Sequence, residues 1–348
     1  MQALVYEGPG QIRFDKERED PVLTGQGDAI IDVEVAGLCG SDLHPYLGRE
    51  AAAAGVVAGH EAVGRVRTVA EGVRGLEPGT RVLLPFTTCC GACGPCRASL
   101  TARCTAGALF GWGPPDDPAR ALDGAQAARV RVPLAASTLI PVPDDLDDLT
   151  ALLCSDNLPT AFEAVERSRV GPNDPLAVVG LGAVGLCAVA AARALGAGPV
   201  LAIDPVASRR QRAVLLGATT VAHPEEITGP AGVGAVVEAS GSAAGQRLAF
   251  ELTAPGGTCS VIAVQTSERF AFTPVEAYDR NVTVTLGRAN VVATLPRVLA
   301  ALASGRLESP APVCVTHPDR TLREGPALYR RFADREEDLV KVAFRPDR

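Results

Sequence analysis

The chain has 348 residues, 47% of them hydrophobic and 21% charged, and a formal net charge of −7. Such a length exceeds one ordinary domain, and the composition excludes a disordered chain and supplies a sizeable core. The acidic balance argues against nucleic acid or an anionic membrane as a main partner.

The amino terminus, "MQALVYEGPG", shows no basic region leading into an apolar run. No secretory signal is expected, and the cytoplasm, where thiols stay reduced, is the expected compartment. Next come "GLCGSDLHPYLG" (Gly37 to Gly48) and "AGHEAVG" (Ala58 to Gly64). The chain has only four histidines, and two of them, His44 and His60, lie in these segments. Cys39 and His60 are a soft and a borderline ligand, both suited to zinc.

"CCGACGPCRASLTARC" follows, from Cys89 to Cys104. Without Cys89, the cysteines Cys90, Cys93, Cys96 and Cys104 are spaced C-x2-C-x2-C-x7-C. Short gaps place thiolates around one ion, and four thiolates match tetrahedral zinc. Gly91, Gly94 and Pro95 supply the turns. A bacterial iron–sulfur run would end C-x3-C-P, which this one does not. A closed four-cysteine site leaves no position for a substrate, so this ion is expected to hold a lobe together, with Cys89 a bystander.

This spacing resembles the structural-zinc lobe of the zinc-dependent alcohol dehydrogenases, in the medium-chain dehydrogenase/reductase superfamily. The resemblance implies a second, open zinc site. The two upstream segments are similar to the family's C-G-[ST]-D-x-H and G-H-E-x-x-G patterns, which makes Cys39 and His60 the first two ligands. The third precedes a Thr-Gly/Ala-aromatic step. In "LCSDNLPTAF" (Leu153 to Phe162) that register falls on Asp156, with Cys154 as the rival. Cys39 thiolate and Asp156 carboxylate would neutralise the divalent charge and leave one position open. By the same resemblance, Asp42 would orient the His60 ring, Glu61 would lie behind the metal, Ser41 would meet the substrate oxygen, and His44 would pass the proton to solvent.

"PLAVVGLGAVGLCAVAAARALGAGPVLAID" contains an uncharged run, Leu176 to Ala192, shorter than the roughly 20 apolar residues of a membrane span. It reads as a strand, Leu176 to Val179, then G-x-G-x-x-G at Gly180, Gly182 and Gly185 opening a helix at Ala183 and Val184, then a second strand ending at Asp204. Glycines permit close backbone approach to a pyrophosphate, and the helix amino terminus favours it. Asp204 suits the ribose hydroxyls and would repel a 2′-phosphate, so NAD is expected over NADP, although Arg209 and Arg210 follow. Strands are also expected over Thr219 to His223, Gly234 to Ser240, Gly257 to Val264 and Asn281 to Gly287, with helices over Ala207 to Leu216, Ser242 to Thr253 and Val291 to Ser304. In the family the last of these strands sits at a sheet edge and pairs with a second subunit. Thr160 and Val264 are expected at the cofactor, and the family's basic residue that reaches the pyrophosphate falls on Lys341, in "EEDLVKVAF".

The expected architecture is α/β. A doubly wound parallel sheet, the Rossmann domain, covers residues 153–291. A mainly β, partly open barrel-like catalytic domain covers 1–152 and 292–348. The implied function is interconversion of an alcohol with its aldehyde or ketone by hydride transfer, with two zincs per chain and a homodimer or homotetramer as the assembly. Two alternatives stand beside it: a formaldehyde-dehydrogenase-like or dismutase-like relative that retains its cofactor, and a catalytically silent binding member of the fold. Phe86, Phe110, Trp112, Tyr46 and Leu158 are pocket or core candidates.

Overall fold

The computed structural model describes residues 1–114, 116, 121–227, 229, 232–336 and 338–347. The chain parts into two compact units. The first comprises Met1–Asp156, Asn290–Ala293 and Val315–Arg348; the second comprises Asn157–Ala289 and Thr294–Cys314. Three stretches depart from the sequence expectation, the shortest being residues 290–291, which cluster with the first unit. Residues 153–156 cluster with the first unit, because the Asp156 carboxylate faces Cys39 and His60. Residues 294–314 cluster with the second, because the helix Val291–Ala303 bonds to the helix Asn157–Arg167 through Thr294 to Glu163 and Arg297 to Glu166.

The first unit begins with an antiparallel pair, β1 (Ala3–Gly8) and β2 (Gln11–Asp15). Its main sheet is built on β3 (Ala29–Leu38), with β4 (Ala62–Val69), β5 (Arg81–Leu84), β6 (Arg129–Val132) and β7 (Ile140–Pro141). β4 lies on one side of β3. On the other side, β6 pairs with residues 29–32 of β3, and the late strand Val342–Phe344 pairs with residues 36–38. A ten-residue strand with buried residues at both ends can serve two partners in this way, and it draws the carboxyl-terminal strand to within reach of Cys39. Two buried apolar clusters flank the sheet: one around Ile31, Val82 and Phe110, the other around Leu38, Tyr46, Tyr329 and Phe344. Phe110 and Tyr46 are therefore core residues.

The second unit is a six-stranded, all-parallel sheet of β8 (Leu176–Val179), β9 (Val200–Ile203), β10 (Thr220–Ala222), β11 (Val233–Glu238), β12 (Thr253–Val261) and β13 (Thr283–Leu286). The order β10-β9-β8-β11-β12-β13 is that of a doubly wound nucleotide-binding sheet, whose strand order reverses beside β8. Strands buried on both faces read as continuous apolar runs, and β8, "LAVV", is buried throughout. β12 ends at Val261, three residues short of the expected end, so Val264 lies in the loop beyond it. The uncharged run 176–192 divides into β8, a glycine turn and part of the helix Ala183–Ala194. Among the described residues no helix is long and apolar enough to cross a membrane.

Candidate active site and metal centres

The four-cysteine centre is local. Cys90, Cys93, Cys96 and Cys104 place their sulfurs within 4.8 Å of one another. A four-residue helix, Gly94–Arg97, with Pro95 in its first turn, carries Cys96 back toward Cys93. Backbone N–H groups point at the sulfurs: Cys93 N–H donates to Cys90 Sγ at 3.3 Å and Cys90 N–H to Cys104 Sγ at 3.2 Å. Backbone N–H donors, first that of Cys96, pull the Cys93 thiol down to about 6. Burial pushes Cys96 the other way, up to about 12, so it is the geometry of four sulfurs around one point that suits a divalent cation. Cys89 stands apart. Its thiol donates to Ser137 O at 3.0 Å, and burial pushes it up to about 11.

The second centre is assembled from distant segments of the first unit. Cys39 precedes the short 3-10 turn Gly40–Asp42, His60 precedes β4, and Asp156 is the break after the helix Asp148–Ser155. Asp147 caps that helix by accepting from Thr150 N–H. Donor atoms of Cys39, His60, Glu61 and Asp156 lie within 4.8 Å of one another, and all four residues are buried. Cys39 Sγ is 3.8 Å from Asp156 Oδ2, which is 3.7 Å from His60 Nε2. Cys154 is not in this group. It is fully buried two residues back on the helix, where desolvation raises its thiol to about 12.

Asp42 turns the imidazole. Its Oδ1 lies 2.8 Å from His60 Nδ1, while its Oδ2 accepts from Cys39 N–H at 2.9 Å. A carboxylate at Nδ1 fixes the tautomer that leaves the Nε2 lone pair facing the cluster. Ser41 Oγ is 3.1 Å from that Nε2. Burial opposes charge here, yet His60 lowers Asp156 to about 2 and Asp42 raises His60. A thiol sulfur, an imidazole nitrogen and a carboxylate gathered within 4.8 Å in a buried place are a donor set that fits zinc. His44 is half-buried, its Nδ1 lacks a hydrogen-bond partner among the described residues, and desolvation lowers its imidazole below the usual range.

Lys341, expected to reach the pyrophosphate, has a partner inside the first unit. It is 0% exposed, and its Nζ pairs with the equally buried Glu61 carboxylate behind the cluster. Burial opposes its charge, but Glu61 outweighs that and raises it. The residue immediately precedes the strand Val342–Phe344, whose pairing with β3 carries it into the interior. Gly37 leaves room for this pair, since a Cβ there would clash with Glu61 Oε2. No sequence pattern links residues 61 and 341; a lone lysine beside an apolar strand was the available signal.

In the second unit the nucleotide motif takes the expected form. Gly180 has φ of 90°, and a Cβ there would lie 2.6 Å from Ser240 Cα. A Cβ on Gly185 would collide with the Gly180 carbonyl. Gly182, by contrast, caps the helix Ala183–Ala194, and a Cβ on it would meet nothing within 4 Å, so protein packing does not explain it. That opening, at a helix amino terminus, fits an approaching pyrophosphate. Ala183 and Val184 form the helix's first turn. Asp204 follows β9 and accepts from Leu181 N–H at 2.7 Å and Val206 N–H at 2.8 Å, so its carboxylate is held against the glycine turn. Arg209 is half-buried, and Arg210 bonds to the Asp204 and Pro205 carbonyls. Thr160 is buried in the helix Asn157–Arg167, and Val264 is exposed.

Residues 25–144 match the family described as alcohol dehydrogenase GroES-like domain, and residues 183–304 match zinc-binding dehydrogenase. A probable zinc-binding alcohol dehydrogenase of Mycobacterium tuberculosis is 34% identical over 353 aligned positions, covering 100% of this chain and 89% of that protein. The chain belongs to the zinc-dependent alcohol dehydrogenases. Among solved structures, the alcohol dehydrogenase TADH of Thermus sp. ATN1 superposes on this member of the family with a TM-score of 0.90 at 37% identity, over 100% of both chains. A glutathione-independent formaldehyde dehydrogenase of Pseudomonas aeruginosa is 33% identical over 225 positions, which is 58% of this chain and 54% of that protein. As a member of this family, the chain is an alcohol oxidoreductase.

Gln126 and Tyr329 were missed from sequence. Both are buried polar residues whose side chains lead to Asp42. A single polar residue inside "GAQAA" was the only hint for the first.

Proposed function

We propose that the protein interconverts an alcohol and its aldehyde or ketone with NAD, using two zincs per chain. The convergence of Cys39, His60 and Asp156, with Asp42 behind His60, carries this reading. Cys39, His60 and Asp156 would hold the catalytic zinc, and Cys90, Cys93, Cys96 and Cys104 the structural one. When bound, the catalytic ion supplies Lewis-acid polarisation of the substrate oxygen, and the nicotinamide supplies hydride exchange.

The chain's own residues do the rest. Asp42 keeps the His60 proton on Nδ1. Ser41 Oγ, beside His60 Nε2, would accept the substrate hydroxyl proton as it gives up its own toward His44 and solvent. His44, held below its usual range by burial, is a neutral acceptor on the way to solvent. Gly180, Gly182 and Gly185, with the first turn of the helix at Ala183 and Val184, bind the pyrophosphate. Asp204 accepts from the ribose hydroxyls, with Arg209, Thr160 and Val264 nearby in sequence or in the family's pattern. β13, whose Leu286 is 53% exposed, is a sheet edge at which a second copy would pair to form a homodimer, the unit from which a homotetramer is also built.

The test is a panel of alcohols, aldehydes and ketones, each with NAD and with NADP, on protein whose metal content is known. Turnover with NAD and two zincs per chain support the reading. One zinc in the wild type, or better turnover with NADP, would sink the part concerned. Asp204→Ala should weaken NAD binding by about 1.5–3 kcal/mol, the worth of hydrogen bonds to a charged group. The similarity to a formaldehyde dehydrogenase favours a second reading, aldehyde chemistry with retained cofactor. Nicotinamide found in the protein as purified would select it.

A further inference from the structure

The groups that orient His60 do not stop at Asp42. Gln126, between β5 and β6, donates from Nε2 to the Gly37 carbonyl at 2.8 Å and faces Asp42 Oδ2 at 3.4 Å. Its Oε1 accepts from the Tyr329 hydroxyl at 2.9 Å. Tyr329 comes from the helix Gly325–Ala333, 203 residues further along the chain. Gln126 is 0% exposed and Tyr329 1%. The run Tyr329, Gln126, Asp42, His60 is thus a continuous buried path that ends on a proposed metal ligand.

The chemistry allows only one orientation of the amide. Turned over, Gln126 would aim its carbonyl oxygen at the Gly37 carbonyl and the Asp42 carboxylate, three acceptors with no proton between them. The Tyr329 hydroxyl, donating to Oε1, reinforces the correct orientation. Space has been made for this amide. Gly59, next to His60, has φ of 88°, and a Cβ there would lie 2.4 Å from Gln126 Cγ. Asp42 then receives donors on both oxygens: His60 Nδ1–H on Oδ1, and Cys39 N–H and Gln126 Nε2–H on Oδ2. Buried polar chains of this kind are costly when half-satisfied and rigid when complete.

We propose that Gln126 and Tyr329 are positioning residues of the Cys39–His60–Asp156 centre: through Asp42 they lock the His60 ring in the tautomer and orientation that present Nε2 to the metal. This rests on the reading of that centre as a zinc site. Neither residue touches substrate or the ion.

Zinc affinity at each centre, measured by chelator competition, tests it. Asp156→Ala protein, which keeps only the four-cysteine site, assigns the two release steps. Gln126→Leu preserves volume and removes every bond the amide makes. Outer partners of metal-bound histidines typically change metal affinity about 10–100-fold, so this variant should weaken the open centre by about that factor while the four-cysteine site is unchanged. Tyr329→Phe keeps the ring packed on Tyr46, with centroids 5.5 Å apart, and removes only the hydroxyl. It should weaken the same centre by less, on the order of tenfold or below. If Gln126→Leu does not fold, Tyr329→Phe decides alone. Wild-type affinity at the open centre, or parallel weakening of both centres, would overturn the proposal. A wild type that releases a single zinc would instead overturn the metal reading on which it rests, so the two failures are distinguishable.

Discussion

The two proposed metal centres of the first unit are built in opposite ways. The four-cysteine centre lies within residues 90–104, and its sulfurs receive N–H bonds from the same stretch of backbone. The open centre draws Cys39, His60 and Asp156 from three separate elements, and their supports, Asp42, Gln126, Tyr329, Glu61 and Lys341, reach almost to the end of the chain. A local centre needs only turns and spacing. A dispersed centre needs a finished sheet, and every support must be satisfied because all of it is buried.

The largest expected effect breaks the local centre. Cys93→Ser should cost one zinc per chain and destabilise the first unit, since structural zinc can contribute on the order of 10 kcal/mol. Metal content and thermal unfolding measure this, and an unchanged melting temperature would mean that the lobe does not depend on its ion.

Next is the choice of ligand at the dispersed centre. Asp156→Ala should remove the other zinc and nearly all activity while cofactor still binds. Cys154→Ala should keep both zincs and most of the activity, because a small buried thiol tolerates that change. The opposite behaviour of the two variants would place the ligand at Cys154.

Smaller, but diagnostic of how far the dispersed centre extends, is Lys341→Ala. Breaking one partner out of a buried ion pair leaves Glu61 uncompensated and should cost about 3–5 kcal/mol. Denaturant unfolding of the metal-loaded protein would show it; wild-type stability would refute the pairing as a structural element.

The mildest test concerns His44. Burial lowers its imidazole, so the folded chain disfavours the protonated form and the base is lost only as pH falls below the unperturbed value of about 6.5. Alcohol oxidation should therefore show an acid limb below that pH, and His44→Asn should shift or flatten it. An unaltered profile would remove His44 from the proton path.

The local centre was legible in the sequence because metal spacing is a property of adjacent residues. The nucleotide turn was legible for the same reason: Gly180, Gly182, Gly185 and Asp204 sit at intervals set by one strand, one helix and the next strand. Cys39 and His60 stood out as zinc-suited residues, but only resemblance joined them to each other and to Asp156, since nothing local does. Where resemblance was silent, the sequence could not help. Resemblance offered Lys341 as a cofactor contact but was silent on its pairing with Glu61, which the register of Val342–Phe344 on β3 brings about in the interior. Gln126 and Tyr329 gave no sign of meeting, because their contact depends on how the carboxyl-terminal helix packs near Leu38 and Tyr46. Residue type and short spacing thus determined which chemistry the chain holds. The tertiary structure decided which buried groups face one another, because burial forces each polar atom to find a partner and only the folded sheet brings those partners together.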